Sequence, residues 1–543
     1  MRLHYSFAAF SLVASLSLNA SADVITDWNI VAIDAARTFA NPNPATRAVA
    51  IGHLAAYDAV NAITHSGEQY LPGSIAVTAP ASLDAAAIQA FHDALVFAIP
   101  AKKDDLDKAA EKALKKLTDG AAKSNGIAAG AAAAAALIAA RTNDGAETPQ
   151  AYPGEDALGK WRPTPTGLLA ANTPEWATLK PFALAAANQF DPGPPPALSS
   201  GRYATDLLET KVYGAGTGSV RTAEQTNIAK FWAQQTHLPF YLLARSFSQA
   251  RSLSVDENAR FFGQLSLAIA DSRIAVWNAK YEYAFWRPVT SINSQLDDGN
   301  ADTTPDPEGD WAPLLETPNH PEYVSGHSAT GAAAATVLGH WFGDDNAFAV
   351  TSETLVGAAY TRRFTSFSDA AKENALSRIY GGIHYRFSNE AGLTLGTKVA
   401  DYVLASDLKA FPEVAGEGGA GGSTTGGDSA GGPAEGGSAE EPAAGAPSTT
   451  GGTGGVAGAS TSAGSAGTVT TPVSEGGEPA SGGASSAGAN SGGKAAGGSK
   501  GQAGGGDDSG CSISANSSSD GSAGLLVLIG LAAALRRRRV RAR

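Results

Sequence analysis

The stretch from Ala50 to Ile63 reads AIGHLAAYDAVNAI, and its apolar residues recur at intervals of three and four. That spacing gathers them on one face of a helix, where a strand would send them alternately to opposite faces. The same period returns in Ser82–Ile99 (SLDAAAIQAFHDALVFAI), Lys103–Gly120 (KDDLDKAAEKALKKLTDG) and the alanine-rich Gly126–Gly145 (GIAAGAAAAAALIAARTNDG). Ser82 reads as a helix cap, and Gly120 and Gly145 as helix ends. The period resumes in Thr222–Gln235 and runs through Asp256–Trp286. Alternating patterns are scarce, so the expected fold is all-α, a single helical domain over residues 23–412. The alanine-rich segment is expected as a closely packed core helix and not a membrane span, because alanine transfers weakly and polar residues bound the run. Between Tyr152 and Ser200 the chain is rich in proline. Trp161, Trp176, Phe182 and Phe190 should anchor it as an irregular connection over the helices.

The two ends of the 543-residue chain do not share this pattern. Residues 1–22 place Arg2 and His4 before an apolar run that closes on Ala20-Ser21-Ala22, the layout of a cleaved signal peptide. Residues 413–522 are dominated by glycine, serine and alanine, a composition that cannot bury enough apolar area to offset its ordering entropy and reads as a flexible linker. Residues 523–543 hold an apolar run to Leu535 followed by an arginine cluster. This tail resembles the C-terminal surface-sorting signals of myxobacterial exported proteins. The resemblance makes Cys511, the single cysteine, the sorting or attachment point, with sorting machinery or a membrane as partner. A plain C-terminal anchor is the alternative. Both readings put the protein outside the cytoplasm, at the cell surface or outer envelope, or secreted.

The formal net charge of −13 excludes nucleic acid as the main partner, since no basic excess exists to neutralise phosphates. An anion site must then be built locally, and three clusters offer one. In KYEYAFWRPVTSIN, Lys280 and Arg287 are seven apart. Read as two turns of one helix stopped by Pro288, they put both cationic ends on one aromatic-flanked side, either as a structural ion pair or as an anion ligand. In PNHPEYVSGHSATG, the Ser325 hydroxyl, the Gly326 N–H and the His327 ring fall at an expected helix N-terminus, where orphan N–H groups and the dipole favour an anion. In SRIYGGIHYRFS, Arg378 and His384 flank Gly381-Gly382, which breaks helical spacing and lets both side chains turn toward one point.

Together these clusters resemble the tripartite signature of the vanadium-dependent haloperoxidases and the related type 2 phosphatidic acid phosphatase superfamily. The resemblance implies a helical bundle of that kind. It implies that His384 is the protein ligand to vanadium, that Lys280, Arg287, Arg378, Ser325 and the Gly326 N–H hold the vanadate oxygens, and that His327 is the acid–base group. It also implies hydrogen peroxide and a halide as substrates, with vanadate as cofactor. Trp277 and His320 match positions near the halide, and a histidine at the second favours bromide. The same cradle without vanadate can hydrolyse a small phosphomonoester, with His384 forming a phosphohistidine and His327 protonating the leaving oxygen. A surface-display protein with a vestigial site is the non-enzymatic alternative. The pattern expects an acid four residues after the last histidine, where this chain has Ser388. Asp369, Glu373 and Glu390 are candidates to replace it. Asp58 and Asp271 are candidates to pair with the active-site cations, His53 and His92 read as packing histidines, and Gly214–Val220 as a turn. The sequence leaves the oligomeric state open.

Overall fold

The computed structural model describes residues 23–408, apart from short segments at 74, 166, 295–297, 304–308, 353–354, 356 and 358–359. The signal-peptide, linker and tail readings, and Cys511 with them, lie outside the described residues. The chain enters α1 (Val24–Ala36) through a capping box in which Asp23 and Thr26 satisfy each other's backbone N–H. It continues through α2 (Pro42–Thr64), α3 (Leu83–Ala98), α4 (Lys103–Leu114), α5 (Ala121–Arg141), α6 (Gly201–Gly214), α7 (Ala223–Phe231) and α8 (His237–Arg251). Then come α9 (Val255–Tyr283), α10 (Pro288–Ile292), α11 (Gly326–Phe342), α12 (Phe367–Tyr380) and α13 (Arg386–Ser406).

The long apolar helix predicted from Asp256 onward is α9, started by a Ser254–Glu257 capping box and buried along almost its whole length. α2, α11 and α13 pack around it, and α3 and α5 extend the bundle beyond α2. α11 and α13 approach closely because Gly392 and Gly396 carry no side chain. A Cβ on Gly392 would lie 2.6 Å from Ser325 O, and one on Gly396 would overlap Ala329 O. The all-α expectation holds with one addition, the antiparallel ribbon of β1 (Asp345–Thr351) and β2 (Thr361–Ser366), in which Phe348 pairs with Phe364. Its consecutive buried residues Phe348, Ala349 and Val350 lack the alternation that announces a strand.

Several expectations are corrected. α4 stops at Leu114, and Gly120, with φ of 144°, stands before α5 instead of ending α4. α5 is not a core helix on all sides. It buries one stripe, Gly126, Ala129, Gly130, Ala133, Ala134 and Leu137, and exposes alanines on the other, which alanine tolerates because its small side chain costs little in either setting. The helix is long and apolar enough to cross a membrane by length and composition. Asp271 does not pair with an active-site cation. Its carboxylate accepts the backbone N–H groups of Phe182, Ala183 and Leu184 at 2.7, 2.7 and 3.0 Å, and so ties the proline-rich connection to α9. Asp58 likewise accepts the N–H groups of Tyr70 and Leu71. The connection itself is anchored as expected, with Trp161, Trp176 and Phe182 buried.

His53 is a core histidine, its ring stacked 5.2 Å from Phe262 and Nε2 3.1 Å from Asn29 Oδ1. Burial pushes it down to about 3, and His237, also buried, is pushed down to about 3. In the unfolded chain each titrates at about 6.5, so below that pH the unfolded state binds more protons than the folded one. Their contribution to stability is complete above pH ~6.5 and is lost as pH falls toward ~3, at up to about 1.4 kcal/mol per pH unit for each. Urea melts between pH 7 and 4 should show this slope, and His53→Gln should make it shallower by about one proton; an unchanged slope refutes the assignment. Gly396→Ala, which must push α13 off α11, should lower stability by about 1–3 kcal/mol in the same melts.

Candidate anion-binding active site

α9 ends where Ala284 turns left-handed (φ 49°) while its N–H still bonds Lys280 O at 2.9 Å. The chain then runs extended, and Arg287 stands at the cap position of α10 with Pro288 at the first helical residue. The reading of Lys280 and Arg287 as two turns of one helix is therefore corrected. Pro288 starts a helix and does not stop one, as its fixed φ and missing N–H allow at a first position. Both cations are nevertheless fully buried. Lys280 Nζ donates to Pro321 O and Glu322 O, both at 2.8 Å. Arg287 donates from Nε to His320 O (2.9 Å) and from Nη1 to Ile383 O (2.8 Å), and its Nη2 lies 2.9 Å from His320 Nδ1.

The other two clusters arrive as expected. Ser325 caps α11 and is fully buried, with Gly326 and His327 in the first turn, whose N–H groups have no partner within the helix. The Ser328 hydroxyl donates to Ser325 Oγ at 2.9 Å, and Asn374 Nδ2 holds His327 O at 2.8 Å. α12 ends at Tyr380, and Gly382 at φ 78° turns the chain so that Arg378 and His384 converge. His384 Nε2 lies 3.3 Å from Arg287 Nη1. Arg378 donates from Nη1 to Trp232 O at 3.2 Å, and its buried Nε has no partner among the described residues.

The carboxylate missing at Ser388 comes from Glu322, which sequence reasoning did not single out. Its Oε1 lies 2.7 Å from His384 Nδ1 and accepts the Tyr385 N–H at 3.1 Å. Its Oε2 and the Ser388 hydroxyl, each without another partner, face one another. The three proposed substitutes are occupied elsewhere: Asp369 accepts from the Thr365 hydroxyl at the start of α12, Glu373 pairs with Arg362, and Glu390 with Arg202. The available signal was an acid embedded in the segment that leads to Ser325. With Nδ1 donating to Glu322, the Nε2 lone pair of His384 faces the cations.

Burial and then the positive charges of Arg287 and Lys280 push His384 well below its ordinary value, so the ring is neutral. Burial and Arg287 likewise hold Lys280 well below the usual lysine range. Burial lowers Arg287 to about 10 and Arg378 to about 9. Glu322 is raised by burial to about 7 against the opposing pull of Lys280 and Arg287. His327, partly buried, is held neutral by burial and Arg378, with Nε2 3.3 Å from Gln234 O. Among the described residues, none of Lys280, Arg287 and Arg378 forms an ion pair with a carboxylate. Buried cations left in this way call for an anion. Three cations, a hydroxyl and helix N–H groups, with one neutral imidazole nitrogen, fit a tetrahedral oxyanion such as vanadate or phosphate. Trp277 and His320, the pair read as flanking a halide, are in contact, with ring centroids 4.9 Å apart.

The profile of the VCPO second helical-bundle domain matches residues 260–411, the part that carries every residue of this cradle. The vanadium chloroperoxidase of Curvularia inaequalis is 30% identical over 180 residues, which are 24% of this chain and 28% of that protein's length. The chain is also similar to the crystal structure of the first bacterial vanadium-dependent iodoperoxidase, at a TM-score of 0.61 and 27% identity, over 71% of this chain and 97% of that one. A holo-type bacterial vanadium-dependent chloroperoxidase shares the fold at a TM-score of 0.53 and 17% identity, over 72% of this chain and 94% of that one.

Glu322→Gln keeps the shape at His384 but removes the charge that fixes its tautomer. Titrating phosphate or orthovanadate into the full chain should show affinity reduced by about 10- to 100-fold, with a smaller loss in Ser388→Ala. Unchanged affinity in Glu322→Gln would show that the contact plays no part in the site.

Proposed function

The chain belongs to the vanadium haloperoxidase family, and we propose that it is a vanadate-dependent haloperoxidase that oxidises halide, bromide in preference, with hydrogen peroxide to hypohalous acid. The observation that carries this is the buried positive charge of Lys280, Arg287 and Arg378, none paired with a carboxylate, around Nε2 of His384. Lys280, Arg287, Arg378, the Ser325 hydroxyl and the Gly326 N–H would hold the oxygens of vanadate, and His384 Nε2 would be its protein ligand. Vanadate, when bound, supplies the Lewis acid that activates peroxide toward the halide without a change of oxidation state. Glu322 keeps the His384 proton on Nδ1, so that Nε2 presents its lone pair. A neutral His327 at the cradle's edge is in the state that takes a proton from peroxide and can return it to the departing oxygen. Trp277, whose ring centre lies 5.9 Å from Lys280 Nζ, and the buried Phe285 and Trp286 that precede Arg287 in the chain help to keep water out, which strengthens each cation's pull.

The preference for bromide rests on His320 against Trp277, as in the sequence reading; the iodoperoxidase likeness makes iodide the second substrate to try. One observation favours a second reading. A phosphohistidine route needs a carboxylate to stabilise the imidazolium, which Ser388 cannot provide, and Glu322 supplies that carboxylate. Hydrolysis of a small phosphomonoester on the same site is therefore the alternative. We place the working enzyme outside the cytoplasm, on the strength of the N-terminal and C-terminal sequence patterns.

The purified full chain, with and without orthovanadate, should brominate an organic acceptor only when both vanadate and peroxide are present. His384→Ala should reduce that activity by at least about 100-fold. Phosphate-ester hydrolysis that needs no vanadate, with no bromination, refutes the peroxidase reading in favour of the second. Retention of either activity in His384→Ala refutes the site.

A further inference from the structure

Lys280 and Arg287 are held by carbonyls of irregular segments, whereas Arg378 is held at the end of a helix. Its Nη1 donates to Trp232 O at 3.2 Å, and Trp232 is the residue that closes α7. The carbonyls of a last helical turn have no partner within the helix, and together they carry roughly half an elementary negative charge. A carboxylate would carry a full one. The end of α7 therefore orients the guanidinium and leaves most of its charge for an anion.

Trp232 is itself fixed from a second direction. It is fully buried, with its ring stacked 5.9 Å from Phe240, and its Nε1 donates to Glu373 Oε1 at 3.0 Å. Both oxygens of Glu373 are also engaged by Arg362, from Nε to Oε1 at 2.9 Å and from Nη2 to Oε2 at 2.6 Å. Arg362 stands on β2 of the ribbon and pairs as well with Glu224, in the first turn of α7. The ribbon thus grips α7 at its start through Glu224 and at its end through Glu373 and Trp232. Glu373 and Arg378 lie five apart on α12, about 140° round the helix, so they do not face one another. Trp232 spans them, its indole at Glu373 and its carbonyl at Arg378. The same stretch reaches the acid–base group: Gln234 O lies 3.3 Å from His327 Nε2, and Asn374, next to Glu373, holds His327 O at 2.8 Å.

We propose that Trp232 is a positioning residue for the oxyanion cradle, clamped by Glu373 and Arg362 so that the end of α7 aims Arg378 at the anion. This deepens the reading of the site: it rests on Arg378 being an arm of the cradle, and on the haloperoxidase reading only for its place in a reaction. Packing against Phe240 would bury the ring without fixing its direction. A hydrogen bond from the indole N–H to a charged carboxylate, which is itself held in a bidentate fork, fixes that direction and with it the carbonyl of the same residue. The β-ribbon, which contributes nothing to the cradle directly, acts on it through this clamp.

The test titrates inorganic phosphate into the vanadate-free full chain and asks whether the clamp and Arg378 act as one unit. Trp232→Phe, which keeps a ring and removes the N–H, should weaken phosphate by about 3- to 10-fold. Glu373→Ala should do the same, and serves if Trp232→Phe does not fold. Glu373→Gln, which keeps an oxygen for the indole, should retain most of the affinity. In an Arg378→Ala background the Trp232→Phe and Glu373→Ala changes should cost nothing further, because the arm they aim is gone. Wild-type phosphate affinity in a folded Trp232→Phe or Glu373→Ala chain overturns the proposal. So does a loss that adds in full to that of Arg378→Ala, or a Glu373→Gln chain as weak as Glu373→Ala, since either makes the clamp a general support of the fold. Coupling to Arg378 in a chain that never brominates leaves the clamp standing and defeats the peroxidase reading; bromination by the wild-type chain with no such coupling does the reverse.

Discussion

The contact of Glu322 with His384, 2.7 Å long and fully buried, is the constraint on which the rest of the site depends. Around it lie Lys280, Arg287 and Arg378, each buried and none paired with a carboxylate of its own. Glu322 touches Lys280 through its backbone carbonyl, His384 through its carboxylate, and the start of α13 through the Tyr385 N–H. One residue therefore joins its own segment to two others far from it in the chain, at 280 and at 384–385. The positive charge it leaves over is what an oxyanion must neutralise, and an anion bound among the three cations opposes the direction in which burial and mutual repulsion push Lys280.

Much of the fold was legible because helices announce themselves locally. The three-and-four spacing of Ala50–Ile63 and that from Asp256 onward are properties of short windows, and α2 and the start of α9 appear where those windows place them. The Ser325-Gly326-His327 turn was legible for the same reason, since a serine ahead of a small-residue run is a cap wherever it occurs. The β-ribbon and the true ends of α4 and α5 were not. A strand buried on consecutive residues has no period to read, and a glycine can begin an element as well as end one.

Within the site, the misreading of Lys280 and Arg287 is instructive because the rule behind it was sound. Residues seven apart on one helix do share a face, but Ala284 ends α9 before Arg287 is reached. Applied one step earlier in the chain, the same spacing joins Arg273 to Lys280, with Trp277 between them at the fourth position, all within α9. That face is a real stripe, carrying two cations and the ring they share, at 4.6 and 5.9 Å from its centre. What hid it was the aromatic segment after Tyr283, which drew the helix too far.

The displacement of the acid from position 388 to position 322 has a structural consequence beyond restoring a charge. A carboxylate four residues after His384 would belong to α13 and would move with it. Glu322 instead stands three residues before Ser325, on the segment that leads into α11, so the orientation of His384 is coupled to the placement of the α11 N-terminus. The Ser325 N–H bonded to Ser388 O at 3.2 Å, and Gly392 seated against Ser325 O, close the same loop from the other side. α11 and α13 are thus held in register by backbone contact on one side and by the Glu322–His384 pair on the other. The anion's N–H donors and its histidine are then a single rigid arrangement. A change in how these helices pack reaches both halves of the cradle at once, which is why a glycine on α13 that touches no ligand belongs to the site as much as the cations do.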